Sequence, residues 1–202
     1  MKNNILTCML LVLATLCTQA QTTTEADAFS NSYAHESNKE YAAAIADINA
    51  VYSEGSYAQN LRLGWLYYMQ GEYLKSQNHY KKAKTLSPTS VEARIGYVYP
   101  TAAMENWDDV IKTYLSILEI DPRNTTANYR LGYIYYVRKD FSQASKYTAA
   151  VLALYPFDYD ANVLLGRVMI AQGKIVEAKG YLQTALLYSP SSKEVQELLK
   201  NL

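Results

Sequence analysis

Four prolines, Pro88, Pro122, Pro156 and Pro190, stand at equal intervals along the chain, each 34 beyond the last. A period held over that length confines a chain to a stack of like units, each too small to bury its own apolar face. The segments between the prolines repeat as well. Residues 61–68 read Leu-Arg-Leu-Gly-Trp-Leu-Tyr-Tyr, 93–100 Ala-Arg-Ile-Gly-Tyr-Val-Tyr-Pro, and 129–136 Tyr-Arg-Leu-Gly-Tyr-Ile-Tyr-Tyr. A weaker copy is Val-Leu-Leu-Gly-Arg-Val-Met-Ile at 163–170. After each copy a second apolar segment opens on Tyr73, Trp107, Phe141 or Ile175, again 34 apart. Within it Ser76, Val110, Ala144 and Ala178 come one turn later, and Tyr80, Tyr114, Thr148 and Leu182 follow. Ala83, Ile117, Val151 and Ala185 complete a stripe at helical spacing. Each period therefore predicts two helices.

The expected fold is all-α, a right-handed solenoid of antiparallel helix hairpins with about five repeats and a C-terminal capping helix. The units are 25–56, 57–90, 91–124, 125–158 and 159–192, followed by the cap at 193–202. The first unit is degenerate, with Ser32 where later copies carry glycine. Ser191 and Glu194 suggest a capping box for the last helix, whose apolar face is Val195, Leu198, Leu199 and Leu202. Glycine inside a helix costs about 1 kcal/mol relative to alanine, so the repeated glycines imply close approach of the second helix to the first. The third unit departs from the pattern. Gly64, Gly132 and Gly166 precede their second-helix openers by nine residues, but Gly96 precedes Trp107 by eleven. The expectation is a first helix displaced two residues earlier, kinked or ended near Tyr99 by Pro100, with a bulging loop at 101–106.

The first twenty residues are expected to lie outside the fold. Lys2, a 13-residue mainly apolar run at 5–17 and Thr18-Gln19-Ala20 have the form of a secretory signal cleaved after about Ala20. That run is short of the ~20 residues that span a bilayer, so no transmembrane segment is expected in the mature chain. Residues 21–24 form a polar lead. Both cysteines, Cys8 and Cys17, lie in the signal, which leaves the mature chain without a disulfide or thiolate chemistry. A mature chain starting at Gln21 resembles exported proteins of Bacteroidetes-type bacteria. An exported address follows, periplasmic or at the cell surface.

Nineteen basic residues balance nineteen acidic ones, so nothing steers the chain towards nucleic acid. No catalytic constellation, phosphate loop or metal-ligand spacing is present, and no cofactor is expected. His35 and His79 are isolated, and His79 among polar neighbours reads as a solvated surface residue. The pairs Asp108-Asp109 and Asp158/Asp160 sit at helix starts, where carboxylates favour the helix dipole.

Leu63, Gly64, Tyr67, Gly71, Tyr73, Tyr80, Ala83 and Pro88 carry the pattern of the tetratricopeptide repeat (TPR) family. The pattern returns in Leu131, Gly132, Tyr135, Phe141, Ala144, Val151 and Pro156, and in Leu165, Gly166, Gly173, Ala178, Ala185 and Pro190. The chain resembles that family over about residues 25–192. The resemblance implies a non-catalytic binding adaptor or scaffold whose first helices line a concave groove. Counted from the glycines, the groove positions hold Arg62, Arg94 and Arg130, then Trp65, Tyr97, Tyr133 and Arg167, then Tyr68 and Tyr136. Tyr67, Tyr99 and Tyr135 fall at the intra-repeat core position. Exposed aromatics on one concave face fit a protein or extended peptide partner. The alternative is a glycan or peptidoglycan strand on the flat rings. Self-association stays open.

Overall fold

The structure, a computed structural model, describes residues 24–202. The expected signal segment 1–20 with its expected cleavage point, Cys8, Cys17 and residues 21–23 fall outside the described residues. Eleven helices and no strand occupy the described residues. They are α1 (Glu25–Ser37), α2 (Tyr41–Asn49), α3 (Tyr57–Met69), α4 (Tyr73–Leu86), α5 (Val91–Ala103) and α6 (Trp107–Ile120). After them come α7 (Thr125–Val137), α8 (Phe141–Leu152), α9 (Tyr159–Ala171), α10 (Ile175–Tyr188) and α11 (Lys193–Lys200). Odd-numbered helices α1–α9 are first helices of hairpins; even-numbered ones are second helices.

Local chemistry starts and stops these helices at fixed intervals. Ser56, Ser90, Asn124, Asp158 and Ser192 each accept the backbone N–H three residues on, capping α3, α5, α7, α9 and α11. The last helix is thus capped by Ser192 and not by a Ser191–Glu194 box, and Glu194 pairs with Arg167, 2.7 Å away. Hairpin turns close on one left-handed residue each: Lys39 (φ 63°), Gly71 (83°), Glu105 (58°), Lys139 (61°) and Gly173 (74°). Only the two glycines take that conformation without steric cost.

The third hairpin is regular, contrary to the expectation above. α5 starts one full period after α3, has the same 13 residues, and is joined to α6 by the same three-residue turn. Pro100 lies inside α5, which does not end at Tyr99. It sits in the last turn and removes only its own donor, while its carbonyl still accepts from Met104 at 3.0 Å. What has moved is the glycine, not the helix. Val98 occupies the place that Gly64, Gly132 and Gly166 hold in their helices.

The glycines show why. A Cβ added at Gly64 would lie 2.9 Å from the Tyr80 ring, at Gly132 2.4 Å from the Thr148 hydroxyl, and at Gly166 2.8 Å from Leu182. Each clears a side chain of its own second helix. A Cβ at Gly96 would come within 2.1 Å of Tyr80, which belongs to the preceding hairpin. The Tyr80 ring is therefore wedged between Gly64 and Gly96, and burial raises its phenol well above the usual range.

Second helices pack onto the following first helix, α2 on α3, α4 on α5, α6 on α7 and α8 on α9, and four apolar clusters follow one another along the stack. First helices also meet each other, α3 on α5 and α7 on α9, which places them on the inner side of the curve. Val195, Leu198, Leu199 and Leu202 close the core at its C-terminal end. The capping helix satisfies the last repeat's apolar face.

Candidate functional site

Counting by 34 from Trp65 along the inner face gives Tyr99, Tyr133 and Arg167. Trp65 and Tyr99 meet edge to face with centroids 6.1 Å apart, and Tyr68 lies 5.5 Å from Tyr99. Tyr99 is 43% exposed and Tyr133 48%, unusually open for such large rings. Two clefts flank this row. The first, about 780 Å³, lies among α1, α3 and α5 and is lined by Tyr33, Leu61, Arg62, Trp65, Ile95 and Tyr99. The second, about 340 Å³, lies among α3, α5, α6 and α7 and is lined by Tyr68, Tyr99, Trp107, Arg130 and Tyr133. Tyr99 is the wall between them. Ala102 and Ala103 deepen the second cleft, standing where α7 has Tyr136 and Val137.

Of the nine residues singled out in the sequence, six stand on this face in the open or at its rim: Trp65, Tyr68, Arg130, Tyr133, Tyr136 and Arg167. Arg130 is exposed and forms no ion pair or hydrogen bond among the described residues. Tyr136 is half-buried against Phe141, 6.1 Å between centroids. Arg167 is tied to Glu194 and closes the groove's C-terminal end. Arg62 lines the first cleft, but only 6% of its surface is exposed. Its Nε donates to Ser32 at 3.0 Å, its Nη1 to the Glu36 carboxylate, and its guanidinium lies 3.9 Å over the Tyr33 ring. Glu36 also accepts the Trp65 indole N–H, so one carboxylate on α1 orients both groove residues.

Arg94 and Tyr97 do not stand in the row. Arg94 donates to the carbonyls of Pro88 (2.6 Å) and Ser90 (2.9 Å) and to the Ser116 hydroxyl at 3.2 Å. Its counterparts one or two periods away are Asn60, Asn128 and Asn162, which clamp the same two loop carbonyls at 2.8–3.1 Å. Gln196 repeats the longer of those bonds to Pro190 at 2.9 Å. Arg94 is a loop clamp with a longer side chain. Tyr97 takes the place of core Leu63, Leu131 and Leu165, and projects between second helices. Its hydroxyl donates to Asp109 at 2.8 Å, and Lys84 sits 3.9 Å over its ring. Burial, with the Asp109 hydrogen bond and charge, pushes its phenol up to about 12.

Tyr99, assigned to the core by its place after Gly96, is a groove residue instead. With Trp107 it is what glycine-based alignment missed; counting from Pro88 and Pro122 would have found both. Tyr67 and Tyr135 do pack within their repeats, stacked on His79 (5.4 Å) and Tyr147 (5.7 Å). His79 is correspondingly not a solvated residue. It stacks on Tyr67 and meets Tyr52 edge to face, and its Nδ1 lies 3.0 Å from the Asn60 carboxamide oxygen. The Asn60 amide already donates to two carbonyls, so the His79 Nδ1 must donate, which fixes the tautomer. Desolvation, then the Lys82 charge, lowers its pKa to about 4.

Asp109 and Asp158 serve the helix starts: Asp109 N–H is received by Asn106, and Asp158 caps α9. Among the described residues no group of three or more His, Cys, Asp or Glu is placed to hold a metal, and no helix is long and apolar enough to cross a membrane.

A tetratricopeptide repeat model matches residues 138–202. Among curated proteins none matches the sequence. Solved structures do. MamA aligns with a TM-score of 0.72 at 18% identity, covering 84% of this chain and 94% of MamA. YrrB, a TPR protein with an unusual peptide-binding site, aligns with a TM-score of 0.71 at 15% identity, covering 90% of this chain and 94% of YrrB. The chain has the fold of tetratricopeptide repeat solenoids, and its C-terminal part carries that family's sequence pattern.

Proposed function

We propose that this protein is a non-catalytic binding scaffold whose inner face receives an extended peptide or protein segment. The observation that carries the reading is the row Trp65, Tyr99 and Tyr133 between two clefts. Tyrosine and tryptophan supply contact area at low entropic cost and keep a polar end for hydrogen bonds. Arg130, unpaired at the second cleft, suits a carboxylate on the partner. The peptide-binding site of YrrB, on a similar fold, supports the class of ligand.

The site of action follows from residues 1–20, which have the form of an export signal. The scaffold would work outside the cytoplasm, in the bacterial envelope. Mass analysis of the protein expressed in a bacterial host tests this: a mature chain beginning near Gln21 supports export, and an intact Met1 terminus refutes it.

The groove is tested with a phage-displayed random dodecapeptide library selected on the immobilised protein. Selected peptides should lose at least tenfold in affinity against Trp65→Ala, Tyr99→Ala and Tyr133→Ala, each checked for unchanged helicity. Failure to select any peptide, or affinity indifferent to all three rings, refutes the reading. Ring-dependent binding of cell-wall sacculi in place of peptides would favour the glycan alternative.

A further inference from the structure

The first cleft has a polar floor that nothing inside the fold uses. Position 96 is where α3 has Arg62, α7 Arg130 and α9 Leu164. Gly96 gives that place to the Tyr80 ring, which lines the cleft between α3 and α5. Tyr80 is 4% exposed, lines the cleft, and its hydroxyl has no hydrogen-bond partner among the described residues. A second donor is idle as well. Arg62, in the same cleft, uses Nε and Nη1 within the fold and leaves the buried Nη2 without an acceptor. Buried donors are nearly always paired, so the idle Arg62 Nη2, in a cleft that also holds the free Tyr80 hydroxyl, asks for an acceptor from outside.

Charge narrows what that acceptor is. Arg62 is already neutralised by Glu36, and Glu92 stands at the rim. A carboxylate entering the cleft would meet two like charges. A primary carboxamide meets neither difficulty: its oxygen accepts, and its N–H groups donate to lone pairs left on Glu36 or Glu92. The walls, Phe29, Leu61, Trp65, Ile95 and Tyr99, suit an apolar stem. We infer that the cleft among α1, α3 and α5 is a socket for a glutamine or asparagine side chain of the bound peptide, its carboxamide oxygen received by the Tyr80 hydroxyl and Arg62 Nη2. This socket rests on the peptide-binding reading above and adds to it a preferred residue.

Positional-scanning dodecapeptide pools with one position fixed as Gln, Glu or Met test it on the wild-type protein and on Tyr80→Phe. The Gln-fixed pool should bind at least tenfold better than the Glu and Met pools at one position. Tyr80→Phe should reduce that preference to within about twofold while leaving the melting temperature unchanged, because the hydroxyl has no partner in the fold. Binding with no Gln preference, or a preference that survives Tyr80→Phe, overturns the socket and leaves the peptide groove standing. A melting temperature lowered by Tyr80→Phe would reveal an internal partner and overturn it too. No binding by any pool refutes the groove and the socket together.

Discussion

α5 and α7 carry nearly the same words, Arg-Ile-Gly-Tyr-Val-Tyr and Arg-Leu-Gly-Tyr-Ile-Tyr, yet the words sit two residues apart relative to the helix ends. In α7 the glycine clears the Thr148 side chain of its own hairpin; in α5 it clears Tyr80 of the hairpin before. A glycine marks where a neighbour is large, and the neighbour need not be the same one in every repeat. The consequence reaches the surface. The tyrosine after Gly132 is in the groove, whereas the one after Gly96 is Tyr97, which projects between second helices towards Asp109.

The largest expected effect comes from closing the space around Tyr80. Gly96→Ala forces the ring or α5 to move and should destabilise by about 1–3 kcal/mol, the range for overpacking a full core. Gly96→Ala combined with Tyr80→Leu should recover much of that loss, as measured by urea unfolding, because the two sites are coupled. If Gly96→Ala is harmless, the wedged-ring explanation for the displaced motif is wrong.

Next in size is the loop clamp. Arg94→Ala and Asn128→Ala should each cost about 1–2 kcal/mol, since each leaves two loop carbonyls without their donor. Neither should weaken peptide binding. A binding loss at Arg94→Ala with unchanged stability would return Arg94 to the groove.

Smaller and opposite in sign is the turn. Glu105→Gly and Lys139→Gly relieve left-handed residues in the α5–α6 and α7–α8 turns and should each stabilise by about 0.5–1 kcal/mol. Equal gains would show the two hairpins alike in backbone, as their matching turn lengths indicate.

A pH-dependent effect separates the second hairpin from the fourth. His79 stacks on Tyr67 as Tyr147 stacks on Tyr135. With its pKa lowered to about 4, folded His79 stays neutral while the unfolded chain takes up a proton below about 6.5. Stability is therefore full above that value and falls as the pH drops towards 4. His79→Tyr makes the second hairpin resemble the fourth, so the stability of wild type relative to this variant should decline over that window. A pH-independent difference would mean that the imidazole is not held neutral.

The fold was legible because prolines, caps and helix openers all recur with one shared period, and each has a local physical cause. The groove was only partly legible. Arg130, Tyr133 and Trp65 were found because their helices carry the glycine at the usual place. Arg94 and Tyr97 were misplaced, and Tyr99 was missed, because Gly96 answers to Tyr80, a side chain of the preceding hairpin that no local pattern reveals. The pairing of Arg62 and Trp65 with Glu36 depends on α1, whose degenerate sequence gives no alignment to count from.

The most direct test of the groove sets Tyr99→Ala against Tyr97→Ala in the affinity of one selected dodecapeptide, measured by titration calorimetry. If the row Trp65–Tyr99–Tyr133 is the binding face, Tyr99→Ala loses at least tenfold, and Tyr97→Ala, folded but less stable, stays within about twofold. The reverse order would show that the groove follows the glycine motif after all, and would remove Tyr99 from the site.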